Sequence, residues 1–239
     1  MVFDARLQND PKLRIAISRR MLARNGCESM VAGHVSERSI DGNGFWVSPF
    51  GYFDETTPEM VIKVSFDLEC LEGNWEPSPA IQFHAAIYKK RKDVCSVIHT
   101  HSHYVSVLST IGKKVGMYNV GSVLFWNDQI LHADDGSKPP VIGDELADEL
   151  GENRIVLIKN HGAIIASQSL EQATIEAQML EVAARYHIEA LAIGGTEFPD
   201  AECIRGRAAY RKHFLPNMWA ANVRRLMKSD ADLFTIYRD

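Results

Sequence analysis

At 239 residues and 46% hydrophobic, the chain can bury one sizeable core, and a single domain over residues 1–239 is expected. Its 26 basic residues against 31 acidic ones leave a net charge of −5, with no long basic run and no apolar stretch of membrane-spanning length, so neither nucleic acid nor a membrane is an expected partner. Met1-Val2-Phe3-Asp4-Ala5-Arg6 lacks an apolar signal core, which makes the cytoplasm the expected location. Cys27, Cys70, Cys95 and Cys203 form no C-x-x-C pair and read as buried thiols or small core residues.

Asn9-Asp10-Pro11, then Leu13, Ile17 and Met21, then Asn25-Gly26, spell a helix with a polar cap, a proline in its first turn and a glycine exit. Its Lys12, Arg14, Arg19, Arg20 and Arg24 read most simply as a solvated face. Met30 to Ser39 is a strand candidate, turned by Asp41-Gly42-Asn43-Gly44 into Phe45-Trp46-Val47 as a hairpin. Thr56 to Met60 starts a short helical turn, and Val64 to Leu71 reads as one strand ending at Glu72-Gly73-Asn74. Ser78-Pro79 is a cap followed by a first-turn proline, launching a helix through Phe83, Ile87 and Tyr88 to the basic run Lys89-Lys90-Arg91-Lys92, which suits a helix C-terminus.

Val94 to Ser102 runs apolar and β-branched into His99 and His101. In an extended strand the i,i+2 spacing puts both imidazoles on one side, where they can chelate an ion. Ser102 is placed to cap a following helix through Val105, Leu108 and Ile111, whose free amides favour negative charge. Val115 to Phe125 offers one or two short strands, Asp134 to Pro140 a loop, and Gly143 to Leu150 an amphipathic helix. Ile155 to Ile158 is a buried strand leading to Asn160-His161-Gly162, and Ala163 to Ser167 leaves it as another. Ser169-Leu170-Glu171-Gln172 is a capping box for a long helix ending at Gly194-Gly195, and Asp200 to Asp239 is helical in pattern. His99, His101 and His161, from two strand ends, make an open divalent-metal site with positions left for water or substrate.

Gly33-His34-Val35-Ser36-Glu37-Arg38, Ser48-Pro49-Phe50-Gly51, Phe83-His84-Ala85-Ala86-Ile87-Tyr88, Asp93 to Ser102 and Asn160-His161-Gly162-Ala163 together resemble the class II aldolase/adducin family, in its order and at its spacings. The resemblance covers roughly residues 10 to 195, leaving the helical segment 200–239 divergent. It implies a three-layer α/β/α sandwich with a central mixed sheet, one divalent ion per chain (Mn, Zn, Fe or Co) on His99, His101 and His161, and a homotetramer with active sites between subunits.

The chain departs from the family in two places. Where the aldolases carry P-S-S-E, with the glutamate as acid and base, this sequence has Pro77-Ser78-Pro79-Ala80, and Ala80 cannot move a proton. Nearby Glu76 reads as an exposed loop carboxylate. Three small polar groups of the family's phosphate site are replaced by His34, Phe50 and Pro79, so a phosphate dianion loses donors and a flat, partly apolar carboxylate fits better. If carbon dioxide is the leaving group, no hydroxyl proton need be removed first and only a proton donor is wanted afterwards. The expected activity is therefore a metal-dependent decarboxylase of a hydroxylated aromatic, heteroaromatic or related unsaturated carboxylic acid. His34 is the candidate carboxylate contact or proton donor, and Gly33, Ser48, Phe50 and Ser78 are the candidate substrate-binding residues. His84 reads as structural, His103 as a possible outer neighbour of the ion, and Arg211 and His213 as groups that could reach a neighbouring active site. The alternatives are an aldolase or epimerase on a small hydroxy acid or sugar phosphate, a non-haem iron oxygenase, and an adducin-like binding protein.

Overall fold

The central strands carry apolar residues on both sides and so demand cover on both faces of a sheet, and two helical layers supply it. The structure, a computed structural model, describes residues 9–133 and 143–237. Strands β1 (His34–Arg38), β2 (Gly44–Val47), β3 (Ile62–Ser65), β4 (Cys70–Glu72), β5 (Ser96–Thr100), β6 (Gln129–His132), β7 (Ile155–Ile158) and β8 (Gly162–Ser167) form one sheet in the order β4-β3-β2-β1-β5-β8-β7-β6. Only β6 and β7 pair in parallel; the other neighbours are antiparallel, so the sheet is mixed.

On one face, Val35, Ile98, Ile155, Leu157 and Ile165 pack with α1 (Pro11–Arg24), α3 (His103–Ser109) and α5 (Leu170–Ala192). On the other, Phe45, Val97, Val156, Ile158 and Ile164 pack with α2 (Gln82–Lys90) and α4 (Gly143–Leu150). This is the expected α/β/α sandwich. The C-terminal segment is helical as anticipated: α6 (Asp200–Ala209), a π-helical turn Tyr210–Phe214 and α7 (Leu215–Ser229), whose Val223 and Leu226 pack on Leu13, Ile17 and Met21 of α1.

Asp10 caps α1 by accepting from the amides of Lys12 and Leu13, with Pro11 in the first turn. Of its charged positions Arg24 is exposed, but Arg19 and Arg20 do not belong to a solvated face. Arg19 is fully buried, donating to the carbonyls of Pro49 (2.8 Å) and Gly51 (2.5 Å) with its guanidinium over the Phe53 ring, and Arg20 donates to the Thr56 carbonyl and to Asp230 and Asp232. β1 starts at His34 rather than Met30, because Met30 adopts a left-handed φ of 53° and Ala32 N turns back to Ser29 O. The single strand expected over Val64 to Leu71 is instead the hairpin β3–β4: Ser65 Oγ accepts from the amides of Asp67 and Glu69, and Leu68 turns the chain at φ 68°.

Four further local expectations are corrected. α2 begins at Gln82, since Ser78 Oγ is spent on the Ala80 amide and Pro79–Ile81 form a turn. Ser102 makes no side-chain cap; the Glu181 carboxylate accepts from the amides of Tyr104 and Val105 in its place, so the start of α3 is already neutralised. Val115 to Phe125 holds no strand. The Gln129 side chain pairs with both the amide and the carbonyl of Val115, a 3₁₀ turn forms at Ser122–Phe125, and the strand in this region is β6. Ser169 caps α5 by accepting from Gln172 N, but the Gln172 side chain turns to Glu176, leaving half of the box. Cys27 and Cys203 are buried, whereas Cys70 is exposed and Cys95 half-buried. The loop at Asp134 to Pro140 lies outside the described residues.

A three-histidine candidate active site

The register of β1, β5 and β8 builds the site. His34 lies opposite His99 across the β1–β5 ladder, and Thr100 opposite Ala163 across β5–β8. Alternation sends Val35 and Ile98 to one face and His34, Ser36, Val97 and His99 to the other, under α2. His101 follows at the end of β5. Its amide donates to Ser29 Oγ at 2.5 Å. His161 sits on the tight β7–β8 turn, made possible by Asn160 at φ 58°, and its carbonyl accepts from Ser106 Oγ. Gly162 must be glycine: a Cβ there would stand 2.3 Å from the Thr100 carbonyl oxygen and 3.1 Å from the His101 ring.

These constraints bring one nitrogen from each of His99, His101 and His161 within 4.8 Å of one another, with ring centroids 4.5 to 5.1 Å apart. His99 Nδ1 must donate to the Ala163 carbonyl at 2.9 Å, which fixes its tautomer and leaves Nε2 as a bare lone pair. That Nε2 lies 2.8 Å from His101 Nε2, within the ~3 Å that two ligand nitrogens span when each is about 2.1 Å from one ion. All three rings are held neutral, the state that ligation needs. Burial pushes His99 well below the ordinary histidine value, with its histidine neighbours adding to the effect. Burial and His161 bring His101 down to about 4, and burial lowers His161. The donor set thus fits a divalent ion, and the half-buried His101 and exposed His161 leave access from solvent.

His34 is nearly fully buried, with its ring centroid 5.0 Å from that of His99. Its Nδ1 is 2.8 Å from His84 Nε2; His84 Nδ1 is 2.6 Å from Ser36 Oγ, which is 2.8 Å from the Tyr88 hydroxyl. The file exists because His84 and Tyr88 are i,i+4 on α2 and His34 and Ser36 are i,i+2 on β1, two periodicities that meet across a helix–sheet contact. Burial drives His34 and His84 well below the usual imidazole range, so both are neutral. His34 Nε2 is buried and has no partner among the described residues. With Nδ1 accepting from His84, that nitrogen carries a proton it can give; with the file reversed, it offers a lone pair.

The remaining candidates divide. Ser48 is buried and accepts from Val35 N, which ties its loop to β1, and Ser78 is buried at the turn before α2. Phe50 is 48% exposed, and its amide bonds the Glu76 carbonyl, joining the 48–51 loop to the 76–78 loop. Gly33 allows a close approach, since a Cβ would meet the Phe53 ring at 2.6 Å. Glu76 is exposed, as expected. His103 is exposed and meets the Tyr104 ring edge-on, and Arg211 bonds Asp128 of its own chain instead of reaching outwards. Sequence reasoning missed Arg19, whose two carbonyl bonds hold the 48–51 loop, and the hydrogen bonds that tie His84 to His34 and Ser36. The signal for His84 was its i,i+4 spacing to Tyr88.

Comparison with known proteins is consistent with this geometry. Residues 13–188 match the family described as Class II Aldolase and Adducin N-terminal domain. The 5-deoxy-D-ribulose 1-phosphate aldolase of Bacillus thuringiensis serovar kurstaki is 26% identical over 192 residues, covering 79% of this chain and 88% of that protein. Decarboxylase NovR of Streptomyces niveus is 27% identical over 208 residues, covering 81% and 74% respectively. The L-fuculose 1-phosphate aldolase from Glaciozyma antarctica PI12 superposes with a TM-score of 0.82 at 22% identity, covering 96% of this chain and 94% of that one. With the family model spanning most of its length, the chain belongs to the class II aldolase and adducin family, whose members include both aldolases and decarboxylases.

Proposed function

We propose that the protein is a divalent-metal-dependent carbon–carbon lyase acting as a decarboxylase on a hydroxylated aromatic, heteroaromatic or related unsaturated carboxylic acid. The observation that carries this reading is the partnerless His34 Nε2 beside His99, combined with Ala80 at the family's glutamate position. His99, His101 and His161 hold the ion, which when bound supplies Lewis-acid stabilisation of developing negative charge. Phe50 and the 48–51 loop offer a partly apolar seat for an unsaturated ring, and Arg19 keeps that loop in place from below.

The carbon–carbon bond to the carboxylate breaks, its electron pair stays on the substrate carbon, and carbon dioxide leaves. His34 Nε2–H then donates the proton that replaces it, with His84, Ser36 and Tyr88 holding the imidazole in the donating tautomer, and water entering the site as product leaves returns the proton to His34. A group buried and neutral near pH 7 suits a donor that must deliver once per turnover. As the family's members are often oligomers, a homotetramer is part of the same reading.

Carbon dioxide release from a panel of hydroxylated aromatic acids by metal-loaded protein tests the proposal. Release in wild type, lost in His161→Ala together with about one bound ion per chain and reduced in His34→Gln with the ion retained, is the expected pattern. Cleavage of a sugar phosphate without carbon dioxide release, abolished in Glu76→Ala, would replace it with the aldolase reading.

A further inference from the structure

The backbones of the candidate ligands are anchored in different ways. His99 lies within β5, paired with His34 on one side and Ile164 on the other, and His161 sits in the β7–β8 turn with its amide donating to the Ile158 carbonyl at 3.1 Å. His101 lies one residue past the end of β5. On its β8 side Gly162 closes in, where a Cβ would stand 3.2 Å from the His101 Cα. On its β1 side the neighbouring strand has already ended.

The register shows what is missing there. Pairing of His34 with His99 puts Ala32 opposite His101 in the β1–β5 ladder. Arg38 N donates to the Cys95 carbonyl in the same ladder, and bonds of that phase recur at every second pair, so a continued β1 would aim the Ala32 carbonyl at His101 N. The chain turns away instead: Met30 takes a left-handed φ of 53°, and Ala32 N donates to the Ser29 carbonyl at 3.0 Å. Into the gap comes the Ser29 hydroxyl, accepting from His101 N at 2.5 Å across 72 residues of sequence.

The surroundings hold that hydroxyl in place. Ser29 is 5% exposed, and Gly33 lets Ser29 and the Phe53 ring close on one another, since a Cβ at Gly33 would stand 2.6 Å from the ring and 2.8 Å from the Ser29 Cβ. A left-handed methionine is an uncommon and costly conformation. Met30 is 70% exposed, so packing of its side chain does not offset that cost; what the turn delivers is Ser29 at the amide of a candidate ligand.

We propose that Ser29 is the positioning residue of His101: its hydroxyl stands in for the strand carbonyl and fixes where His101 presents its ring to a divalent ion. This rests on the reading that His99, His101 and His161 bind the ion. A backbone held by the sheet on one side only can swing about that side, and the ring nitrogens, several bonds out from the amide, move with it. With the hydroxyl gone, the His101 N–H loses its partner and the ligand trio loses its preset spacing.

Titration of cobalt(II) into the metal-free full chain, read by visible absorption beside a urea midpoint for each metal-free protein, tests it. Wild type is expected to take about one ion per chain. Ser29→Ala is expected to bind roughly 10-fold more weakly, with the absorption bands of the bound ion shifted, and Ser29→Thr, which keeps the hydroxyl, to restore affinity and bands. Ser18→Ala removes a different buried serine bond, to Thr174 Oγ1 at 2.7 Å, and is expected to lower the urea midpoint while leaving cobalt affinity and bands unchanged. Wild-type affinity and bands in Ser29→Ala would overturn the proposal. So would a Ser29→Thr as weak as Ser29→Ala, or equal weakening in Ser18→Ala, which would mark the effect as a general loss of stability. A wild type that binds no cobalt would fail the metal reading itself, and the positioning role with it.

Discussion

His34 Nδ1 lies 2.8 Å from His84 Nε2, and since burial keeps both rings neutral, one of these nitrogens must carry the proton between them and the other must accept it. The Ser36 hydroxyl on the far nitrogen of His84 can donate or accept, so it serves either arrangement. His84→Phe is therefore expected to leave the ion in place and lower turnover roughly 10- to 100-fold, the usual effect of removing a group that orients another. Elemental analysis beside turnover, with the pH profile recorded for both proteins, checks this; unchanged turnover would remove His84 from the mechanism. Tyr88→Phe, one step further along the file, should act in the same direction and less strongly.

The histidine cluster also sets a pH dependence for the metal-free protein. His101 is held at about 4, through burial first and His161 second, against about 6.5 in an unfolded chain. Between those values the unfolded chain binds a proton that the folded one refuses, so stability falls as pH drops from about 6.5 towards 4 and is indifferent to this group above 6.5. His34, His84 and His99 are shifted in the same direction and add to the slope. Urea denaturation in chelator at about pH 7.5 and about pH 5 should show lower stability at the acid value, with a shallower difference in His101→Asn.

Arg19 is buried with its charge directed at two backbone carbonyls and, among the described residues, no carboxylate bonded to it; burial lowers its guanidinium to about 9. Arg19→Leu should cost about 2–4 kcal/mol by orphaning the carbonyls of Pro49 and Gly51 and by losing the contact with Phe53. A urea midpoint reads the stability. A raised KM with a near-normal metal content would show that the 48–51 loop has lost its seat.

Glu181 reaches from α5 to the first amides of α3, accepting from Tyr104 N at 2.9 Å and Val105 N at 3.0 Å. Glu181→Ala should destabilise by about 1–2 kcal/mol, the cost of a lost helix cap. Because α3 begins two residues after His101, metal affinity should fall alongside. Glu181→Gln, which keeps one acceptor, is expected to recover part of both.

The sheet and the histidine trio were legible because each rests on local pattern: β-branched runs into His99 and His161, an i,i+2 pair, and a proline and an aspartate at the start of α1. What was not legible depends on partners distant in sequence. Arg19 looks solvated on a helix rich in cations until the carbonyls of Pro49 and Gly51, some 30 residues on, close over it. Ser102 has the composition of a cap, but Glu181, 77 residues from Tyr104, takes that role. Gln129 likewise satisfies Val115 across 14 residues with a side chain where a strand neighbour was expected. Local sequence reports propensity; it does not report which remote group arrives first at an unsatisfied backbone.

The three histidines differ in how freely they could be exchanged over evolution. His99 is locked inside a central strand, wedged against Phe83 and His34, and a different side chain there would disturb a core. His161 stands on a turn whose path is fixed by Asn160 and Gly162, not by the imbued imidazole itself. The scaffold thus separates a fixed anchor from an interchangeable socket: a lineage could try a carboxylate or an amide at position 161, and so alter the donor set offered to an ion, without refolding the sheet that presents it.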